Sequence, residues 1–168
     1  ELKNLINSGI QGLSPYEPGK PIEELEREYG ISDAIKLASN ENPLGPSPKV
    51  LEALKEVLSG VHRYPDGNGF RLKKALSEKY SVDVGSLTLG NGSNDIIEFV
   101  ARCFLTPKSN AVYSKHAFAV YPLIVQSLGA EGIEVEAKDW GHDLQAMLDV
   151  INKETKIVFI ANPNNPTG

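Results

Sequence analysis

The feature that most limits how this chain can fold is the alternation that begins at Ser86 and continues to the last residues. SLTLG (86–90) reads as a strand and SNDIIEFVARCFL (93–105) as a helix. NAVYSK (110–115) and FAVYPLIVQSLGA (118–130) repeat the pair, as do EGIEVEA (131–137) and DLQAMLDVIN (143–152). KIVFIANP (156–163) then reads as another strand. Strict strand–helix alternation calls for parallel strands joined by crossover helices, so the class is α/β. KIVFIA is apolar throughout, which is the expectation for a central strand covered on both faces. Pro122 falls inside a helical pattern, where a kink or a late helix start is expected.

The front of the chain is organised differently. Residues 1–30 read as an arm, because SPYEPGKP is rich in turn formers. AIKLAS (34–39) reads as a short strand. Ser47-Pro48 opens a helix with a cap residue followed by proline, Leu51, Leu54, Val57 and Leu58 supply its apolar face, and Gly60 ends it. A second helix carries Phe70, Leu72, Leu76 and Tyr80 mostly on one side.

Composition excludes several functions. A length of 168 residues is one domain's worth, and no apolar run approaches the roughly 20 residues of a membrane span. The N-terminus lacks the basic-then-apolar order of a signal peptide, so a cytoplasmic setting is expected. The net charge is −5 and the basic residues are scattered, which argues against a nucleic-acid partner. The single cysteine, Cys103, is expected to be a buried structural thiol. His62, His116 and His142 lack metal-ligand spacing, so no metal site is expected.

Four stretches carry chemistry. In LTLGNGSNDIIEF a glycine-rich turn joins a strand to a helix start. Gly90 and Gly92 permit close backbone approach, and the amides near Ser93 and Asn94 form an anion site at the positive end of the helix dipole. No Lys-[Ser/Thr] pair follows, so it is not a P-loop, and Asp95 stands where a dinucleotide fingerprint needs its third glycine. An ordinary turn capped by Ser93 or Asn94 fits equally well. In HRYPDGNGF the Tyr64 phenol is able to donate to a phosphate, or simply packs beside two tight turns. In SKHAFAVYP, Phe118 and Tyr121 follow a strand, placed to stack on a flat ligand or to fill the core. NPNNPTG follows the last strand. X-Pro bonds fix such a loop, and one presented asparagine amide is suited to holding a phenolate oxygen; a polar turn is the alternative.

Together and in this order, these stretches resemble the fold-type I pyridoxal-phosphate aminotransferases, and more narrowly their histidinol-phosphate branch. LASNENPLGPSP, HRYPDGNGFRLKKALSEKY, LGNGSNDIIEF, YSKHAFAVYP, NPNNPTG and SPYEPGKP carry the resemblance, which spans essentially the whole chain. It implies the three-layer, parallel-dominated sheet of that family's large domain, incomplete here and preceded by an N-terminal arm. Residues 1–44 would be the arm and the start of a small domain, and 45–168 the first part of the pyridoxal-phosphate-binding domain. The resemblance assigns the cofactor's phosphate to the amides of Ser93 and Asn94 and to Tyr64 of a neighbouring subunit, so a homodimer is implied. It places Phe118 against the cofactor ring and Asn165 on its phenolate oxygen, with Pro166 a cis candidate. Tyr16 and Asn42 would reach the substrate.

The implied reaction exchanges an amino group between L-histidinol phosphate and 2-oxoglutarate, in histidine biosynthesis. The family's Schiff-base lysine lies downstream of NPNNPTG, and no lysine of residues 1–168 matches its position. The chain is therefore expected to be part of a longer protein and to lack transaminase activity alone. Threonine-phosphate decarboxylase and aromatic aminotransferases share much of the scaffold. A non-catalytic phosphate-binding α/β module and a dimerisation fragment are the readings outside this family.

Overall fold

A computed structural model describes residues 2–168. It divides into two compact units. One, the sheet unit, holds the chain up to Tyr16 together with Thr88–Gly168; the other, the helical unit, is Glu17–Leu87.

The sheet unit is built from α4 (Ser93–Phe104), β1 (Asn110–Ser114), α5 (Val120–Ser127), β2 (Glu131–Val135), α6 (Leu144–Asp149) and β3 (Thr155–Phe159). The three strands are parallel and lie in the order β2-β1-β3. This is the α/β alternation expected. Two helices pack on one face, where Ala101, Leu105, Ala111, Tyr113, Tyr121, Val125, Ile157 and Phe159 form a continuous core. Helix α6 covers the opposite face, where Met147 packs with Val112 and Val135. Alternate residues of β1 thus serve both faces, and all five of its residues are buried. The result is three layers, helix on sheet on helix.

Pro122 lies within the first turn of α5, which begins at Val120. The late helix start is therefore the correct alternative: the N–H that proline lacks is one that the first turn would leave unbonded. The arm ahead of Tyr16 passes close against the end of α5 at Gly9, where an added Cβ would meet Gln126 O and lie 2.7 Å from Gly129 N. Only a residue without a side chain permits that approach.

Several expectations fail. KIVFIA does not form the central strand; β1 does, and β3 lies at an edge of the described sheet with Val158 and Ile160 exposed. The segment 86–90 is extended at Leu87 but belongs to no strand. AIKLAS is likewise irregular, with Ile35 and Leu37 almost fully exposed. Both segments have strand-like composition and no neighbouring strand to pair with, and a strand exists only as part of a ladder. Cys103 is exposed rather than buried, because the end of α4 turns Ala101 and Leu105 inward and leaves the three residues between them, Arg102, Cys103 and Phe104, outside.

The helical unit contains α1 (Ile22–Tyr29), α2 (Pro48–Val57) and α3 (Phe70–Tyr80). Residues 22–29 of the expected arm are thus helical. Helix α2 starts as read, with Ser47 as N-cap and proline at its first position, and a 3-10 turn to Gly60 closes it. Helix α3 is led in by Asp66, whose carboxylate accepts from the backbone N–H of Asn68 (3.0 Å) and Phe70 (2.8 Å). Those two bonds hold the Asp66 carboxyl below its ordinary pKa.

Candidate functional site

The strand order places a switch point in the sheet unit. From β1 the chain crosses to β2 on one side, then passes back to β3 on the other. In parallel sheets the crevice beyond the carboxyl ends of such strands is where ligands bind. Tyr113 pairs with Phe159, so the segments leaving β1 and β3 depart side by side. They form a cleft of about 400 Å³, lined by Tyr16, His116, Ala117, Phe118, Ala119, Asn165 and Pro166.

Three of the residues singled out in the sequence, Tyr16, Phe118 and Asn165, therefore meet in one cleft. Tyr121 is not a cleft residue. It is 8% exposed, and its ring stacks on Phe159 at 4.5 Å with Phe118 edge-on to it at 6.1 Å. Burial pushes the Tyr121 phenol pKa up, as expected of a tyrosine serving as core. The half-buried Phe118 is thus backed by a rigid aromatic stack while its remaining surface lines the cleft.

The loop after β3 is fixed by its own bonds. Asn162-Pro163 and Asn165-Pro166 are both cis, the second as expected from the sequence and the first not singled out there. Gly168 N–H donates to Asn164 O (2.8 Å), closing the turn that presents Asn165. Asn164 itself is buried, and its Nδ2 donates to Thr167 Oγ1 (2.7 Å) and to His116 O (3.2 Å). His142 Nε2 lies 2.8 Å from Ala161 O; a carbonyl only accepts, so this nitrogen carries the proton. Asn164, His142 and Thr167 were not identified from sequence. Asn164 sits beside the residue that was, but its partners lie up to 48 residues away and leave no local signal.

Ser93 and Asn94 are exposed at the first turn of α4. Gly92 precedes them with φ 84°, a conformation in which a side chain would be strained. No side chain caps this helix end. The Asp95 carboxylate turns back to accept from Asn91 N–H (2.8 Å) and Asn91 Nδ2 (3.2 Å). The amides of the first turn lack intrahelical acceptors, so an anion is a suitable partner for them.

Tyr64 and Asn42 belong to the helical unit. Tyr64 is fully exposed. Asn42 organises a turn, accepting from Leu44 N–H (3.0 Å) and donating to Gly45 O (3.4 Å).

Residues 32–168 match the family model described as aminotransferase class I and II. The chain is 61% identical over 166 residues to "histidinol-phosphate aminotransferase 2" of Pseudomonas aeruginosa, covering 98% of this chain and 45% of that protein. It is 58% identical over 164 residues to "histidinol-phosphate aminotransferase 1" of Nitrosococcus oceani, covering 98% and 44%. Among solved structures it resembles histidinol-phosphate aminotransferase from Sinorhizobium meliloti in complex with pyridoxal-5'-phosphate. The TM-score there is 0.82 at 26% identity, over 94% of this chain and 42% of that one. The chain thus spans just under half the length of the curated relatives it matches.

Proposed function

The chain belongs to the aminotransferase class I and II family, and from that premise we propose that the whole protein moves an amino group between L-histidinol phosphate and 2-oxoglutarate, in histidine biosynthesis, with pyridoxal 5'-phosphate as cofactor. The observation that carries this reading is the 61% identity, over 98% of this chain, to a relative named for that activity.

The residues present suit such a cofactor. A cleft of about 400 Å³ lies within the roughly 300–1,000 Å³ of small-molecule sites, and it offers an aromatic face, an amide and a phenol. Phe118 would stack on the ring, with Tyr121 and Phe159 behind it holding the angle. The Asn165 side chain would donate to the ring's phenolate oxygen, keeping that oxygen deprotonated. The first-turn amides at Ser93 and Asn94 would hold the phosphate, with the Asp95 carboxylate occupied by Asn91. Tyr64 would donate to the same phosphate from a neighbouring subunit; its full exposure supports that role and with it a homodimer. Tyr16, in the cleft, and Asn42 would contact the substrate.

When bound, the cofactor supplies an electron sink for removal of the proton beside the amine. This chain's share of the work is orientation and exclusion of water. The domain reading goes with the same proposal: residues 1–44 as arm and start of a small domain, 45–168 as the first part of the cofactor domain. No helix of the described residues is long and apolar enough to cross a membrane, and a cytoplasmic setting is part of the reading. Residues 1–168 alone would not transaminate, since none of their lysines matches the family's Schiff-base position.

Turnover of the full-length protein on histidinol phosphate, threonine phosphate and phenylalanine tests the proposal. A preference for histidinol phosphate of about a hundredfold in kcat/KM is expected, because a site built around a substrate's polar groups rejects analogues lacking them. Equal or better turnover of either competitor would refute the substrate assignment. Transamination by the 168-residue chain alone would refute the division of labour.

A further inference from the structure

Four residues close a circuit across the carboxyl end of the sheet. Asn164 Nδ2 donates to His116 O (3.2 Å) and to Thr167 Oγ1 (2.7 Å). Thr167 Oγ1 donates to Trp140 O (2.8 Å). The Trp140 ring then meets the His116 ring, centroids 5.0 Å apart at 44°. His116 lies in the segment after β1, Trp140 in the segment after β2, and Asn164 and Thr167 in the segment after β3. All three strand ends are therefore tied to one another, and the tie between the first and third joins the two walls of the cleft.

The direction of donation is fixed by chemistry. His116 O and Trp140 O are carbonyls and only accept, so Asn164 must turn its nitrogen toward His116 and Thr167 must spend its proton on Trp140. An amide nitrogen has two protons to give, which a carboxylate or a single hydroxyl does not. The arrangement also carries local costs. Asn164 is 8% exposed, and its Oδ1 is buried with no hydrogen-bond partner among the described residues. His116 and Trp140 both hold positive φ, 62° and 65°, a backbone region that bulky residues rarely enter. Outliers of this kind persist where the surroundings over-determine them and gather at functional sites.

We infer that Asn164 is a positioning residue: its amide ties the segment bearing Phe118 to the loop bearing Asn165, and so sets the gap in which the cofactor ring would be held. The inference rests on the aminotransferase reading above. Asn165 would donate to the ring only as well as its loop is placed, and Asn164 is the neighbouring residue that anchors that loop to the opposite wall.

The test uses the full-length protein and pyridoxal 5'-phosphate itself. Cofactor affinity is read by absorbance titration, and the pH midpoint of the bound cofactor's visible band is followed alongside. Asn164→Asp keeps the shape of the side chain and removes the donor. Thr167→Val removes the hydroxyl, and Thr167→Ser retains it. Asn164→Asp and Thr167→Val are expected to weaken cofactor binding about tenfold and to move the band's midpoint, since a lost bond inside a tied network is worth that much. Thr167→Ser is expected to stay within about twofold of wild type on the same grounds. If Asn164→Asp does not fold, the Thr167 pair decides the question. Wild-type affinity and midpoint in both Asn164→Asp and Thr167→Val would overturn the inference, as would Thr167→Ser failing as badly as Thr167→Val. Wild-type protein that takes up no cofactor overturns the reading beneath it as well, which separates the two failures.

Discussion

In the helical unit Leu51, Leu54, Val57 and Leu58 form the apolar stripe of α2, and each is between 46% and 60% exposed; in the sheet unit Val112, Val125 and Met147 are 2% exposed or less. The stripe of α2 is as regular as anything in the sheet unit, yet none of α1, α2 and α3 contains a buried residue. A helical apolar stripe states a demand for a partner surface without supplying one. The sheet supplies it in one unit, with a helix layer on each face of β1. The lesson is that patterning and burial are separate facts, and only burial stabilises.

A buried charge should separate the units most sharply. Val125→Asp places a carboxylate in the core of the sheet unit with no partner, and it is expected to unfold that unit outright, a loss of about 4 kcal/mol or more. Leu54→Asp, at the half-exposed stripe, should cost under about 1 kcal/mol in this chain. Urea unfolding of the two variants checks both, and equal losses would dissolve the contrast.

Gly9→Ala comes next. It tests why the first residues side with the sheet unit, since a Cβ there meets backbone atoms at the end of α5 that cannot swing aside. A cost of about 1–3 kcal/mol is expected, with faster amide exchange confined to the residues before Tyr16. Unchanged exchange would mean that the arm is held by something other than this contact.

The smallest effects lie at opposite ends of the pH scale. Burial, aided by the nearby Glu134 carboxylate, pushes the Tyr113 phenol pKa up. A raised folded-state pKa contributes stability that is complete below the unfolded tyrosine value near 10 and is lost as pH rises through the folded one. Tyr113→Phe should therefore flatten the alkaline loss of stability in the sheet unit. Asp66 has a depressed pKa, from the Phe70 and Asn68 amides. Its contribution is present above the unfolded aspartate value near 4 and is lost as pH falls through the folded one. Asp66→Asn should make the helicity of α3 insensitive to acid. Circular dichroism against pH distinguishes the two, and acid sensitivity that survives in Asp66→Asn would show that the Asp66 carboxylate is not its source.

How much of this was readable beforehand depends on how local each signal is. Ser47-Pro48 opens α2, Gly92 precedes α4, and Pro122 sits in the first turn of α5; in each case the cause sits within one helical turn of its effect. Tyr16, Phe118 and Asn165 were singled out from short stretches and share one cleft. AIKLAS and SLTLG misled because their composition suits a strand while no neighbour pairs with them. Cys103 misled because its apolar neighbour Phe104 is itself exposed, while Ala101 and Leu105 take the inward positions.

Residue order alone settled the α/β class, the starts of α2 and α4, the loop that presents Asn165, and membership of a family whose relatives match nearly the whole of this chain. Those properties come from backbone sterics and hydrogen bonding within a few residues, which the chain carries wherever it goes. The choice of β1 over β3 as the central strand, the half-exposed stripe of α2, and the circuit through His116, Trp140, Asn164 and Thr167 were decided in three dimensions. Each depends on which distant surface or carbonyl is close enough to meet, and packing between remote segments is the only thing that determines it.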